Sequence, residues 1–128
     1  MTRSDKKPTL SSESVIGVIN RGEPAVRFIR AVREYNAGHR TQLRTVAFFL
    51  DEEADALFVR EADMAVAFHT IPGALLDSTV YLQRSALLAA LKQAHCDALW
   101  PGWGFLSEDA EFVAMTEEAG FVFLGPDS

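Results

Sequence analysis

Five short apolar runs, spaced by stretches of helical periodicity, restrict the folds open to this chain more than any other feature. They are Ser14-Val-Ile-Gly-Val-Ile19, Thr45-Val-Ala-Phe-Phe-Leu50, Ala65-Val-Ala-Phe68, Asp97-Ala-Leu-Trp100 and Phe121-Val-Phe-Leu124. Each is too short for a core helix and apolar on both faces of an extended chain. That is the pattern of a strand covered on both sides. Helical segments fall between them, from Pro24 to Tyr35, Ala56 to Ala62, Val80 to His95 and Glu108 to Ala119. Regular alternation of strand and helix predicts an α/β domain: a Rossmann-like, about five-stranded parallel sheet with right-handed crossovers and helices on both faces.

The local signals agree with this order. Pro24 suits a first helical turn, which needs no amide hydrogen there. Ala25, Phe28, Ile29 and Val32 form the apolar stripe of the first helix. The polar stretch Asn36 to Arg44 reads as a loop, with Gly38 as the helix stop. Asp51 to Asp55 is a charged turn and Ile71 to Ser78 a loop. The helix from Val80 turns Leu82, Ala86, Leu87, Ala90 and Leu91 inward. Ser107 is the expected N-cap of the last helix, with Glu108, Asp109 and Glu111 in its first turn, where acidic groups suit the helix dipole. Residues 1–13, rich in Ser and Lys, are expected to be a disordered leader, and residues 14–128 the folded domain.

Composition removes whole classes of function. The 128 residues carry a formal charge of -6, which disfavours nonspecific binding to nucleic acid or anionic membrane. No apolar run approaches a transmembrane span, and the first residues have no apolar core of a secretory signal. A single cysteine, Cys96, excludes an internal disulfide or a cysteine metal cluster and is expected to be a small buried hydrophobe. These features predict a cytoplasmic protein. His39, His69 and His95 lie apart with no metal-ligand spacing, so no metal site is expected.

In an open parallel sheet, sites gather at the carboxyl ends of the strands. Two glycine-containing segments fall there: Asn20-Arg-Gly-Glu23 after the first strand and Pro101-Gly-Trp-Gly104 after the fourth. The first has the layout of an anion-binding turn but only one glycine, Gly22, and no P-loop lysine. A plain turn with Arg21 or Glu23 in a salt bridge is the favoured reading. Arg27, Arg30 and Glu34 share one face of the first helix. They form either a solvated face with an Arg30–Glu34 pair or a self-complementary interface. Ser107 lacks the glycines of a nucleophile elbow, and no catalytic residue is expected in the chain.

Taken together, these segments resemble the N-terminal, pre-ATP-grasp domain of biotin carboxylase. The resemblance is carried by Asn20-Arg-Gly-Glu-Pro-Ala-Val-Arg27, Asp55-Ala-Leu-Phe-Val-Arg-Glu-Ala-Asp63, Tyr81-Leu82, Pro101-Gly-Trp-Gly-Phe-Leu-Ser-Glu108 and Gly125-Pro126, in family order. It implies a part in ATP-dependent carboxylation of carrier-bound biotin: Mg-ATP activates bicarbonate as carboxyphosphate, and the carboxyl group passes to N1 of biotin. The residues that hold ATP, metal and bicarbonate belong to a following ATP-grasp region, so the domain alone is expected to bind none of these cofactors and to be inactive. Its implied partners are that ATP-grasp domain, a biotin carboxyl carrier domain and a second copy in a homodimer.

Trp100 and Trp103 stand where bacterial stand-alone members have His and Tyr, and the stretch Asn36 to Arg44 is longer than theirs. Both departures are similar to large single-chain acyl-CoA carboxylases. By resemblance, Trp103 and Gly104 line the biotin side of the active-site cleft, with Glu108 nearby. Arg27, Arg30 and Glu34 match the helix that helps form the bacterial dimer interface. Two alternatives share parts of this pattern: the pre-ATP-grasp domain of another ligase, and a free-standing nucleotide-binding or regulatory module.

Overall fold

A computed structural model of the chain describes residues 9–102 and 105–125. Five strands, β1 (Val15–Val18), β2 (Arg44–Phe49), β3 (Met64–Ala67), β4 (Ala98–Trp100) and β5 (Val122–Phe123), form one sheet in the order β3-β2-β1-β4-β5. Every neighbouring pair is parallel; Ile16 lies opposite Thr45 on one side and Ala98 on the other. Four α-helices connect them: α1 (Gly22–His39), α2 (Leu57–Glu61), α3 (Arg84–Gln93) and α4 (Ala110–Glu118). This is the α/β class that the alternation predicts.

The strand residues alternate between two apolar layers, as a period of two requires. Val15, Ile19, Val46, Phe48, Leu50 and Leu99 join Leu87 and Leu91 of α3 and Phe112 of α4 in one core. Val18 and Ala47 meet Ala25, Val26 and Ile29 of α1 and Phe58 of α2 on the opposite face, where Ile16 and Ala98 pack with Val32. The sheet is therefore covered on both faces, which is why β1 reads as a continuous apolar run. Phe48, Phe68 and Phe112 are fully buried; each such side chain stabilises the fold by roughly 1.5–3 kcal/mol relative to exposure. Cys96 is buried as expected, and burial, reinforced by the charge of Asp97, pushes its thiol up to about 12.

Four local expectations are corrected. Helix α1 continues through Asn36 to His39, and its stop is Arg40 in the left-handed region (φ 54), not Gly38. Asn36 stays helical because its side chain serves the residues beyond the helix. Its Nδ2 donates to Leu43 O at 2.9 Å, and its Oδ1 accepts from Leu43 N at 3.0 Å and Thr41 Oγ1 at 2.7 Å. The helix predicted from Val80 to His95 is broken at Gln83 into a 3-10 turn, Ser78–Leu82, and α3. Gln83 turns aside to brace the preceding loop, accepting from Leu75 N at 2.8 Å and donating to Gly73 O at 2.9 Å. Leu82, expected to be buried, is 53% exposed as a result.

The N-cap of the last helix is Asp109 rather than Ser107. Its Oδ1 accepts from Phe112 N at 3.1 Å, and Phe105–Glu108 form a 3-10 turn ahead of it. Of the segment expected to be a disordered leader, residues 1–8 lie outside the described residues. Next to β1, Ser14 N donates to Ser11 O at 3.3 Å, and Gln42 N, in the loop ahead of β2, donates to Ser12 O at 2.7 Å.

Candidate functional site

Two successive crossovers carry the chain outward from the central strand β1 to β2 and β3, and the next returns it to β4 on the other side of β1. α1 and α2 lead to β2 and β3 on one face, while α3 and α4 serve β4 and β5 on the other. The sheet's switch point thus lies between β1 and β4, where open α/β sheets form their clefts. Both glycine segments singled out in the sequence end there. Ile19 N donates to Trp100 O at 2.9 Å, extending the ladder by one bond. Asn20 Nδ2 then donates to Pro101 O at 3.2 Å while its Oδ1 accepts from Arg21 N at 2.7 Å. One asparagine side chain ties the two turns together.

Gly22 (φ +67) and Gly102 (φ +77) supply the left-handed backbone these turns need. At Gly102 a side chain would also run into the Asn20 amide. A third segment closes the edge. Glu53, in the turn after β2, accepts from Leu50 N at 3.0 Å and from the Tyr81 hydroxyl at 2.8 Å, and pairs with Arg21 Nε at 3.3 Å. The Arg21 guanidinium lies over the Tyr81 ring, 5.3 Å from its centroid. Burial first, and then the Glu53 carboxylate, push the Tyr81 phenol far above its usual range, so it stays protonated. Asn20, Arg21, Tyr81, Leu82, Pro101 and Leu106 line a notch of about 160 Å³ on this edge.

The other site residues of the sequence reading lie as follows. Trp103 and Gly104 lie outside the described residues. Glu108 ends the 3-10 turn ahead of α4 and is exposed. Glu23 is exposed and pairs with Arg27 at 3.3 Å. Arg27, Arg30 and Glu34 are all exposed on α1, but Arg30 does not make the expected pair with Glu34. It reaches Glu61 at the end of α2 at 3.0 Å, and Arg33 Nη2 donates to the Glu61 carbonyl at 2.8 Å. The Arg30 hydrogen bond is the chief cause holding the Glu61 carboxyl below its usual range. Trp100 stacks on Phe28 of α1, centroids 4.2 Å apart and planes within 8°.

Glu53 and Glu61 went unnoticed in the sequence. Three consecutive acidic residues, Asp51 to Glu53, gave no sign of which one turns inward. Among the described residues no three His, Cys, Asp or Glu side chains converge on one point, and no helix is long and apolar enough to cross a membrane.

Residues 12–128 match the family model described as biotin carboxylase, N-terminal domain. The chain belongs to this family. The biotin carboxylase of Halalkalibacterium halodurans is 40% identical over 85% of this chain, and the match spans 22% of that protein. The mitochondrial propionyl-CoA carboxylase alpha chain of Homo sapiens is 37% identical over 87% of this chain and 14% of its own length. Among solved structures, the biotin carboxylase domain of a single-chain bacterial carboxylase superposes with a TM-score of 0.74. It is 38% identical over 89% of this chain and 24% of that one. The biotin carboxylase N-terminal domain seen here thus corresponds to a small share of each relative.

Proposed function

We propose that this domain forms one wall of the active site of a multidomain, biotin-dependent acyl-CoA carboxylase, whose other walls come from its ATP-grasp domain. The observation that carries the proposal is the clasp at the sheet's switch point. There Asn20 joins Asn20-Arg-Gly22 to Pro101-Gly102, two of the segments on which the family likeness rests. In this reading Mg-ATP activates bicarbonate within the ATP-grasp domain, and biotin on a carrier domain supplies the N1 nucleophile that takes the carboxyl group. The present residues shape and position. The clasp fixes the backbone leading into Trp103 and Gly104, and we assign these two, with Glu108, to the biotin side of the cleft. Tryptophan is suited to walling off a small bicyclic ligand. A single cysteine, buried and free, accords with a reducing compartment, and we place the enzyme in the cytoplasm.

The full-length protein is expected to hydrolyse ATP in the presence of bicarbonate, faster when free biotin is added. Bicarbonate-dependent hydrolysis indifferent to biotin would instead assign the domain to another ATP-grasp ligase. The match of Arg27, Arg30 and Glu34 to the helix that helps form the bacterial dimer interface supports a homodimer contact on that face of α1. Arg30→Glu should then lower the sedimentation mass of the full-length enzyme, and an unchanged mass would remove α1 from the interface.

A further inference from the structure

We propose that Glu53 is a positioning residue for carboxylation, acting through Arg21 and Tyr81; the inference rests on the functional reading above. Its side chain is only 12% exposed, and its carboxylate gathers two hydrogen bonds and one ion pair from three separate parts of the chain. Leu50 N–H comes from the end of β2, Arg21 Nε from the turn after β1, and the Tyr81 hydroxyl from the approach to α3. The Tyr81 oxygen also lies 3.1 Å from Phe48 O, but one hydroxyl proton serves one acceptor. The shorter bond, to an ionised acceptor, takes it.

The consequence falls on Arg21. Its Nε pairs with Glu53 and its guanidinium carbon lies over the Tyr81 ring, while the residue's side chain is 49% exposed. Neither Nη has an acceptor among the described residues. A guanidinium paired to a carboxylate and placed over an aromatic ring keeps fewer of its rotamers than a free one. Arg21 is thereby held as a wall of the notch rather than left to sweep across it. Pro101 and Leu106 of the same notch lie two residues before Trp103 and two after Gly104 in the sequence, the pair assigned above to the biotin side.

This role differs from stabilisation. Solvent at the half-exposed Arg21 end limits what the pair adds to stability, whereas misplacing an active-site wall by about 1 Å can cost on the order of a hundredfold in rate. Glu53→Gln keeps an oxygen for Leu50 N–H and Tyr81 but removes the anion facing Arg21. In the full-length carboxylase it should lower kcat for biotin carboxylation roughly tenfold while KM for ATP and the melting temperature stay near wild type. Glu53→Asp, which keeps the charge on a shorter arm, should restore part of the loss. Tyr81→Phe, which keeps the ring under Arg21, should cost less than Glu53→Gln. A Glu53→Gln enzyme with wild-type kcat, or one whose kcat falls only in step with its melting temperature, overturns the positioning role. A wild-type protein without biotin carboxylation would overturn the functional reading, and the inference with it.

Discussion

Gly102 carries two constraints at once. Its φ of +77 is strained for any residue with a side chain, and its missing Cβ makes room for the Asn20 amide. Gly102→Ala must therefore either distort the turn or push Asn20 off Pro101. It should destabilise the domain by about 1–3 kcal/mol, read from the urea midpoint. A midpoint equal to wild type would mean that the clasp is looser than its geometry. The same scale shows what a sequence conceals. Asn20, Arg21 and Gly22 were singled out because a strand, a glycine and a helix follow one another. Glu53 was not, because its two hydrogen-bond donors and its ion-pair partner lie 3, 28 and 32 positions away, and such contacts leave no local spacing. Trp100 stood out as one of two tryptophans, yet its partner Phe28 became visible only once α1 lay beside β4.

At the scale of elements, apolar periodicity located all five strands and the helices between them, because the central strands β1 and β2 are buried on both faces and the outer ones, though partly exposed, are still apolar. It failed where polar side chains decide the outcome. Asn36 prolongs α1 by satisfying the backbone beyond the helix end, and Gln83 interrupts a helix whose periodicity runs on unbroken. Asp109 takes the cap because Arg84, at the start of α3, holds it in place with Nε–Oδ2 at 2.9 Å and Nη2–Oδ1 at 3.0 Å. Arg84 also reaches Glu111. Hydrogen bonding from Arg84 is the chief cause that lowers the Asp109 carboxyl below its ordinary value. A depressed carboxylate contributes stability that is complete above the unfolded value, about pH 4, and fades as the pH falls through the folded one. Arg84→Met should therefore lower the melting temperature by a few degrees at pH 7, with the difference from wild type shrinking as the pH falls below the ordinary carboxylate range, about pH 4. A difference that persists unchanged in acid would mean that packing, not the Asp109 pair, is what Arg84 supplies.

For the whole molecule, alternation of elements predicted a parallel sheet with helices on both faces, and the structure has one. The position of each strand was not legible. The order β3-β2-β1-β4-β5, which places the cleft between β1 and β4, depends on which faces pack together rather than on any one segment. That order makes the two conspicuous turns into one site. The domain supplies a clasp, a held arginine and the chain leading into a tryptophan–glycine pair, and the proposed chemistry requires the ATP-grasp domain beside it. Transfer of labelled bicarbonate to biotin tests this division most directly, with the full-length protein and residues 1–128 assayed side by side with Mg-ATP. The full-length protein is predicted to form acid-labile label on biotin, and residues 1–128 to form none. Label formed by residues 1–128 alone, or none with the full-length protein, would contradict the account.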